Sequence, residues 1–216
     1  MNDEYCSIKK SAAATLKVEG SKFIAAAIPI GQKEDAEREL QLARKKYFDA
    51  THHCFAYVLG IERAVFRYSD DGEPAGTAGV KIFSAIQAKN ISDVLVIVTR
   101  YFGGTKLGIG GLGRAYFEAA QMALQAADVQ VKLLAQEFKV TFLYAETSNV
   151  MNSLSSLLRT KDGGQDAKIL DTLYDEDVTL TIAIRESSAD AMVKQLIDAT
   201  RGNITFRHGS HLTISV

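Results

Sequence analysis

Cysteine is scarce in this 216-residue chain, and no apolar run approaches the ~20 residues that a membrane-spanning helix requires. The two cysteines, Cys6 and Cys54, lie far apart, which argues against a disulfide scaffold and suits a cytoplasmic location. The opening Met1-Asn2-Asp3-Glu4-Tyr5 is acidic and has no apolar segment, so no secretory signal is expected. An excess of one charge is missing as well. The net charge of −1 removes the simplest argument for a polyanionic partner. The halves differ slightly: residues 1–134 hold 17 Lys/Arg against 15 Asp/Glu, a net +2, and residues 135–216 hold 8 against 11, a net −3. That permits a basic patch on the first half without demanding one. With 47% hydrophobic and 24% charged residues, the chain can bury one or two ordinary cores.

Hydrophobic periodicity gives the organisation. Lys17–Ile30 reads as extended, Glu34–Phe48 as a helix with Ala36, Leu40, Ala43 and Tyr47 on one face, and His53–Gly60 and Ala64–Tyr68 as strands. After the breakers Ser69–Pro74, a helix is expected over Ala75–Lys89 with Asn90 as its stop. Val94–Thr99 is a continuous β-branched run, the mark of a buried central strand. Arg100–Gly111 reads as loop and Leu112–Ala127 as helix. Beyond a boundary between 134 and 135 the order is strand Glu137–Tyr144, helix Ser148–Arg159, a break at Asp162-Gly163-Gly164, strands Ala167–Tyr174 and Val178–Arg185, helix Ala189–Thr200, and an extended end from Asn203. That βαββαβ order is ferredoxin-like, so an α+β protein of two domains, 1–134 and 135–216, is expected.

Six glycines fall within Gly103–Gly113. Glycine-rich backbone opening a helix points free amides outward, where the helix dipole also favours an anion. Arg100, Lys106 and Arg114 supply countercharge, and Tyr101 and Phe102 offer faces on which bases can stack. The expected anion or nucleic-acid site is therefore Arg100, Tyr101, Gly103, Gly104, Lys106, Gly108, Gly110, Gly111 and Arg114. Gly108-x-Gly110-x-x-Gly113 matches the dinucleotide fingerprint only formally, because Arg100–Leu107 separate it from the preceding strand. No Gly-Lys-Ser/Thr makes a P-loop. The competing account is that these glycines serve tight turns and close helix–sheet packing.

Asp70, Asp71 and Glu73 lie within four residues, followed by Thr77 at a helix start. Such carboxylates suit either a structural turn or contact with a ligand or cation. No EF-hand spacing follows, and His52-His53-Cys54 lacks both the further ligands of a zinc site and the third group of a nucleophile pair. His53, Asp70, Asp71, Glu73 and Thr77 are accordingly expected as partners of the glycine loop in one cleft, with no metal and no cofactor called for.

Three segments carry a family resemblance: His53-Cys54-Phe55-Ala56-Tyr57; Tyr68-Ser69-Asp70-Asp71-Gly72-Glu73-Pro74-Ala75-Gly76-Thr77-Ala78-Gly79; and Val98–Gly104 continuing through Leu107-Gly108-x-Gly110-Gly111-Leu112-x-Arg114-Ala115-Tyr116. In order and spacing they resemble the IMPACT/YigZ family over roughly residues 15–130. The sequence departs from the pattern at Gly113, where Val is usual, and at Val80-Lys81-Ile82, which replaces a basic-Pro-apolar triplet. The resemblance implies a ribosomal-protein-S5-domain-2-like first domain, shared with GHMP kinases, and a second similar to the last domain of elongation factor G. Both kinships suggest RNA or ribosome contact. Eukaryotic members restrain a starvation-responsive kinase through an added RWD domain; none is expected before Lys17, so that role does not transfer. The family has no agreed catalytic residues. The leading expectation is a non-enzymatic, translation-associated factor that binds RNA or the ribosome. The alternatives are an enzyme on a small phosphorylated or nucleotide substrate, with the acidic turn holding Mg²⁺ or acting as base, and a protein-interaction adaptor.

Overall fold

The computed structural model describes residues 3–158 and 165–215. The break expected at Asp162-Gly163-Gly164 and the helix end at Arg159 lie outside them. The chain is an α+β protein of two compact units, Tyr5–Gln130 and a second made of the residues from Val131 onward together with those before Tyr5. The division falls earlier than 134/135, within the long strand β7 (Val129–Phe142).

A short strand that the pattern does not announce, β1 (Glu4–Ile8), precedes the first sheet. That sheet opens with a hairpin of β2 (Ala12–Val18) and β3 (Ser21–Pro29), where one extended stretch was expected. The chain reverses at Glu19 and Gly20, with φ of 45° and 81°. Next come α1 (Lys33–Lys46), β4 (His52–Leu59), β5 (Val65–Ser69), α2 (Gly79–Lys89), β6 (Val94–Tyr101) and α3 (Gly108–Gln125). The strand order is β2-β3-β6-β4-β5, with every neighbour antiparallel. β6 is central, which is why Val94–Val98 are buried whichever way they face. α2 and α3 cover one face, closing Phe23, Cys54, Val96, Val98 and Tyr116 into the main core. α1 covers part of the other, setting Ala36, Leu40 and Ala43 against Phe55, Tyr57 and Ile97.

Two helix starts differ from the expectation. α2 begins at Gly79, not Ala75, because Ser69–Ala78 is held as a turn by Asp70. α3 begins at Gly108, four residues before Leu112, so the middle glycines are helical rather than loop. Each helical glycine costs about 1 kcal/mol relative to alanine. Tertiary packing offsets this: Leu112, Ala115, Tyr116 and Ala119 are all buried on the core side.

The second unit runs β7, α4 (Thr147–Leu158), β8 (Ala167–Tyr174), β9 (Val178–Arg185), α5 (Glu186–Ala199) and β10 (Ile204–Ser215). Its antiparallel order β10-β7-β9-β8 is that of a ferredoxin-like βαββαβ sheet. Phe138, Val140 and Ile182 pack under Leu154, Met192 and Leu196. Asp3 is tied into this unit. Its Oδ1 accepts from Arg185 Nε at 2.9 Å and Nη2 at 2.6 Å, and its Oδ2 accepts from the Ser187 amide in the first turn of α5.

Candidate functional site

The acidic turn and the glycine segment meet on the face covered by α2 and α3. Only Glu73, of the three carboxylates, opens on the space between them. It lines a cavity of about 340 Å³ with Arg100, Phe102, Lys106, Leu107 and Gly108. Asp70 is spent on structure: its Oδ1 accepts the amides of Ala78 and Gly79 at 2.9 and 2.8 Å, and its Oδ2 that of Gly76 at 2.9 Å. Burial opposes the charge of Asp70, but these bonds at the start of α2 outweigh it and hold the carboxyl below its usual range. Asp71 accepts the His53 amide at 2.7 Å and Arg44 at 2.7 Å. Thr77 is buried and donates to the Pro74 carbonyl at 2.6 Å. These three build the turn. Among the described residues, no group of three His, Cys, Asp or Glu is placed to hold a metal ion.

Behind Glu73 lies a buried polar network. Arg100 Nη1 donates to Glu73 Oε1 at 2.6 Å, and the Tyr116 hydroxyl donates to the same oxygen at 2.8 Å. Arg100 Nη2 reaches Ser21 Oγ at 3.3 Å, and its guanidinium lies 5.3 Å and 5.5 Å from the ring centres of Phe23 and Phe102. Arg100 is only 5% exposed. Its charge is neutralised inside the protein, so it does not stand at the surface as a free countercharge.

The histidines and Cys54 are also committed. His52 Nδ1 donates to the Asp71 carbonyl at 2.8 Å, leaving Nε2 3.8 Å from Glu73 Oε2. His53 Nε2 donates to the Tyr47 carbonyl at 3.1 Å, and burial lowers its pKa against the opposing pull of Asp71. The Cys54 thiol donates to the Asp70 carbonyl, and burial pushes its pKa up to about 12. A buried thiol held in its protonated form is no nucleophile at neutral pH.

The glycines divide between two roles. Gly103 runs against the Gly20–Ser21 turn so closely that a Cβ there would stand 1.9 Å from the Gly20 carbonyl carbon. That position is packing. Gly104 and Gly108, at φ 88° and 67°, have open space where a side chain would project, and a Cβ on Gly110 would meet only Arg114 Nη1 at 3.8 Å. A Cβ on Gly111 would meet its neighbour Leu107 Cβ at 3.3 Å. No side chain caps α3, and its first turn holds no acidic residue. Lys106 and Arg114 are exposed and make no ion pair among the described residues. Tyr101 is turned elsewhere, its hydroxyl donating to Asp49 at 2.8 Å, while Phe102 is 47% exposed.

A second, larger recess of about 770 Å³ adjoins the first through Ile109, which lines both. Lys81 of α2 and Arg114 of α3 both line it, together with Glu118. Lys81, Ser21 and Tyr116 are the contributors that pattern reasoning missed. Gly113 was the available signal for Lys81, since a small buried residue within a helix marks a close neighbour, and Lys81 Cε lies 3.3 Å from where its Cβ would be.

Family models match both parts of the chain. Residues 19–124 match the Impact N-terminal domain, which spans the whole site, and residues 153–203 match a domain of unknown function (DUF1949). The chain is 30% identical to the IMPACT family member YigZ of Escherichia coli (strain K12) over 190 residues, covering 87% of this chain and 89% of YigZ. The chain belongs to the IMPACT family. It is also 28% identical to the IMPACT family member YvyE of Bacillus subtilis (strain 168) over 209 residues, covering 97% of this chain and 93% of YvyE. A solved crystal structure of a hypothetical protein superposes with a TM-score of 0.67 at 26% identity, covering 95% of this chain and 97% of that one. Both domains are thus shared with relatives of similar length.

Proposed function

We propose that this IMPACT-family chain is a non-enzymatic, translation-associated factor that binds RNA, free or on the ribosome, by its phosphates. The observation that carries the proposal is the uncapped, exposed start of α3, flanked by Lys81, Lys106 and Arg114. Free amides at a helix start and cations without carboxylate partners are what a phosphodiester requires. Phe102, half-exposed beside Lys106, supplies a face for one base. Arg100 acts from behind. Paired with Glu73, it holds the wall of the cavity instead of contacting the ligand.

The rival reading, an enzyme on a small phosphorylated substrate, loses support because Asp70, Asp71, His53 and Cys54 are all engaged in the turn and the core. Fluorescence anisotropy with a labelled oligouridylate, run beside a thermal-shift panel of nucleotides with Mg²⁺, separates the two. RNA binding that weakens in Lys81→Ala/Lys106→Ala/Arg114→Ala, with no nucleotide shift, supports the proposal. A nucleotide at 100 times its dissociation constant raising stability by about 2.7 kcal/mol, without RNA binding, supports the rival.

A further inference from the structure

The face of the first sheet opposite α2 and α3 is half bare. α1 lies over β4 and β6, and beside it the β2–β3 half of the sheet carries no helix. The result is a groove of about 340 Å³. Its floor is aliphatic: Ile24, Ala26 and Ile28 of β3 are half-buried, Ala13 of β2 is exposed, and Ile97 comes from β6. Leu42 of α1, 53% exposed, forms the wall.

Strand spacing sets what fits. Adjacent strands lie about 4.8 Å apart, so the β2–β3 pair is centred about 10 Å from the β4–β6 pair under α1. Packed helix axes are about 8–10 Å apart. A helix laid alongside α1 would therefore sit over β2 and β3 and complete the layer.

One end of this groove is cationic. The α1 terminus is anchored there by the bond from His53 to the Tyr47 carbonyl, and His53 pairs with Thr99, which pairs with Ile24. Two residues along the strands, Lys22 pairs with Lys17. Lys17, Lys22 and Lys46 are exposed and make no ion pair among the described residues. Among the described residues lining the groove the carboxylate is Glu39, with Arg38 Nε 3.7 Å away; Asp49, near the lysine end, accepts from the hydroxyl of Tyr101, the strand partner of Lys22.

We infer that this groove docks an amphipathic α-helix of a partner protein, its apolar face on Ile24, Ala26 and Leu42 and carboxylates at one end over Lys17, Lys22 and Lys46. The floor is alanine and isoleucine, and Tyr47, an aromatic at the rim, has Lys46 Nζ 5.1 Å from its ring centre, so the groove suits an apolar helix face better than a run of stacked bases. This site is separate from the phosphate surface and does not depend on it.

The test is anisotropy with a labelled helical peptide of roughly 14 residues, leucine at i, i+3, i+4 and i+7 with glutamate elsewhere, against a twin carrying lysine for glutamate. The glutamate peptide is expected to bind about tenfold more tightly than its twin. Ala13→Glu, and separately Lys17→Glu/Lys22→Glu, should each weaken it about tenfold without lowering the melting temperature, because all three positions are solvent-exposed. No binding, equal binding of the two peptides, or binding that ignores both variants would overturn the inference. So would an oligouridylate displaced by Ala13→Glu, or a dimer of the chain alone that this variant dissolves.

Discussion

Replacing Arg100 with alanine should unfold the first domain at a much lower temperature rather than merely weaken ligand binding. Arg100 and Glu73 have side chains 6% and 4% exposed and lie 2.6 Å apart. Removing one partner of a buried pair leaves the other charge uncompensated, at a cost of about 3–5 kcal/mol. For a domain of this size each kcal/mol lowers the midpoint by about 4 °C, so a fall of roughly 12–20 °C is expected. Thermal unfolding followed by circular dichroism measures it. Glu73→Leu alone should be damaging too, since it strands the guanidinium and takes away the acceptor of the Tyr116 hydroxyl. The double variant Arg100→Met/Glu73→Leu should melt above either single one, because an apolar pair of similar volume replaces the ion pair. If Arg100→Ala melts within about 1 kcal/mol of the parent and yet loses RNA affinity, Arg100 is a surface ligand and the network described above is wrong.

Gly103→Ala should lower stability by several kcal/mol, whereas Gly110→Ala, which meets only the end of the Arg114 side chain, should be neutral or slightly stabilising; denaturant midpoints decide. Cys54 should resist alkylation in the folded protein at pH 8 and react only on unfolding. Its raised pKa means that its contribution to stability is present below the unfolded thiol value near 8.5 and is lost as the pH rises above it. Asp3→Asn should remove one source of acid sensitivity from the second domain. Its hydrogen bonds from Arg185 lower the folded pKa against burial, so that stability is present above about pH 4 and lost as the pH falls below it.

Much of the fold was legible because burial on both sides writes a strong pattern. The Val94–Thr99 run is central β6, and Ala167–Tyr174 and Val178–Arg185 have the bounds that alternation and turns suggested. The β2–β3 hairpin was hidden because Glu19-Gly20 is a weak turn pair between two apolar runs. The start of α3 was hidden because propensity argues against glycines in a helix, and only packing by Leu112 and Tyr116 overrides it. At the site, the juxtaposition of the acidic turn with the glycine segment was anticipated, but the division of labour was not. Asp70 caps a helix eight and nine residues ahead, and Arg100 finds Glu73 twenty-seven residues back; both pairings are made by tertiary structure. A charge continuing a buried strand, as Arg100 follows Thr99, was the one visible hint that it would need an internal partner.

The salt dependence of RNA binding tests the central claim most directly. Three cations neutralising three phosphates of a single strand give a slope of about −2 in log affinity against log salt. Oligouridylate affinity should therefore fall roughly 20-fold between 50 and 200 mM salt. In Lys81→Ala/Lys106→Ala/Arg114→Ala the slope should collapse toward zero. No binding at low salt, or an undiminished slope in that variant, would contradict the assignment of the α3 start as the phosphate site.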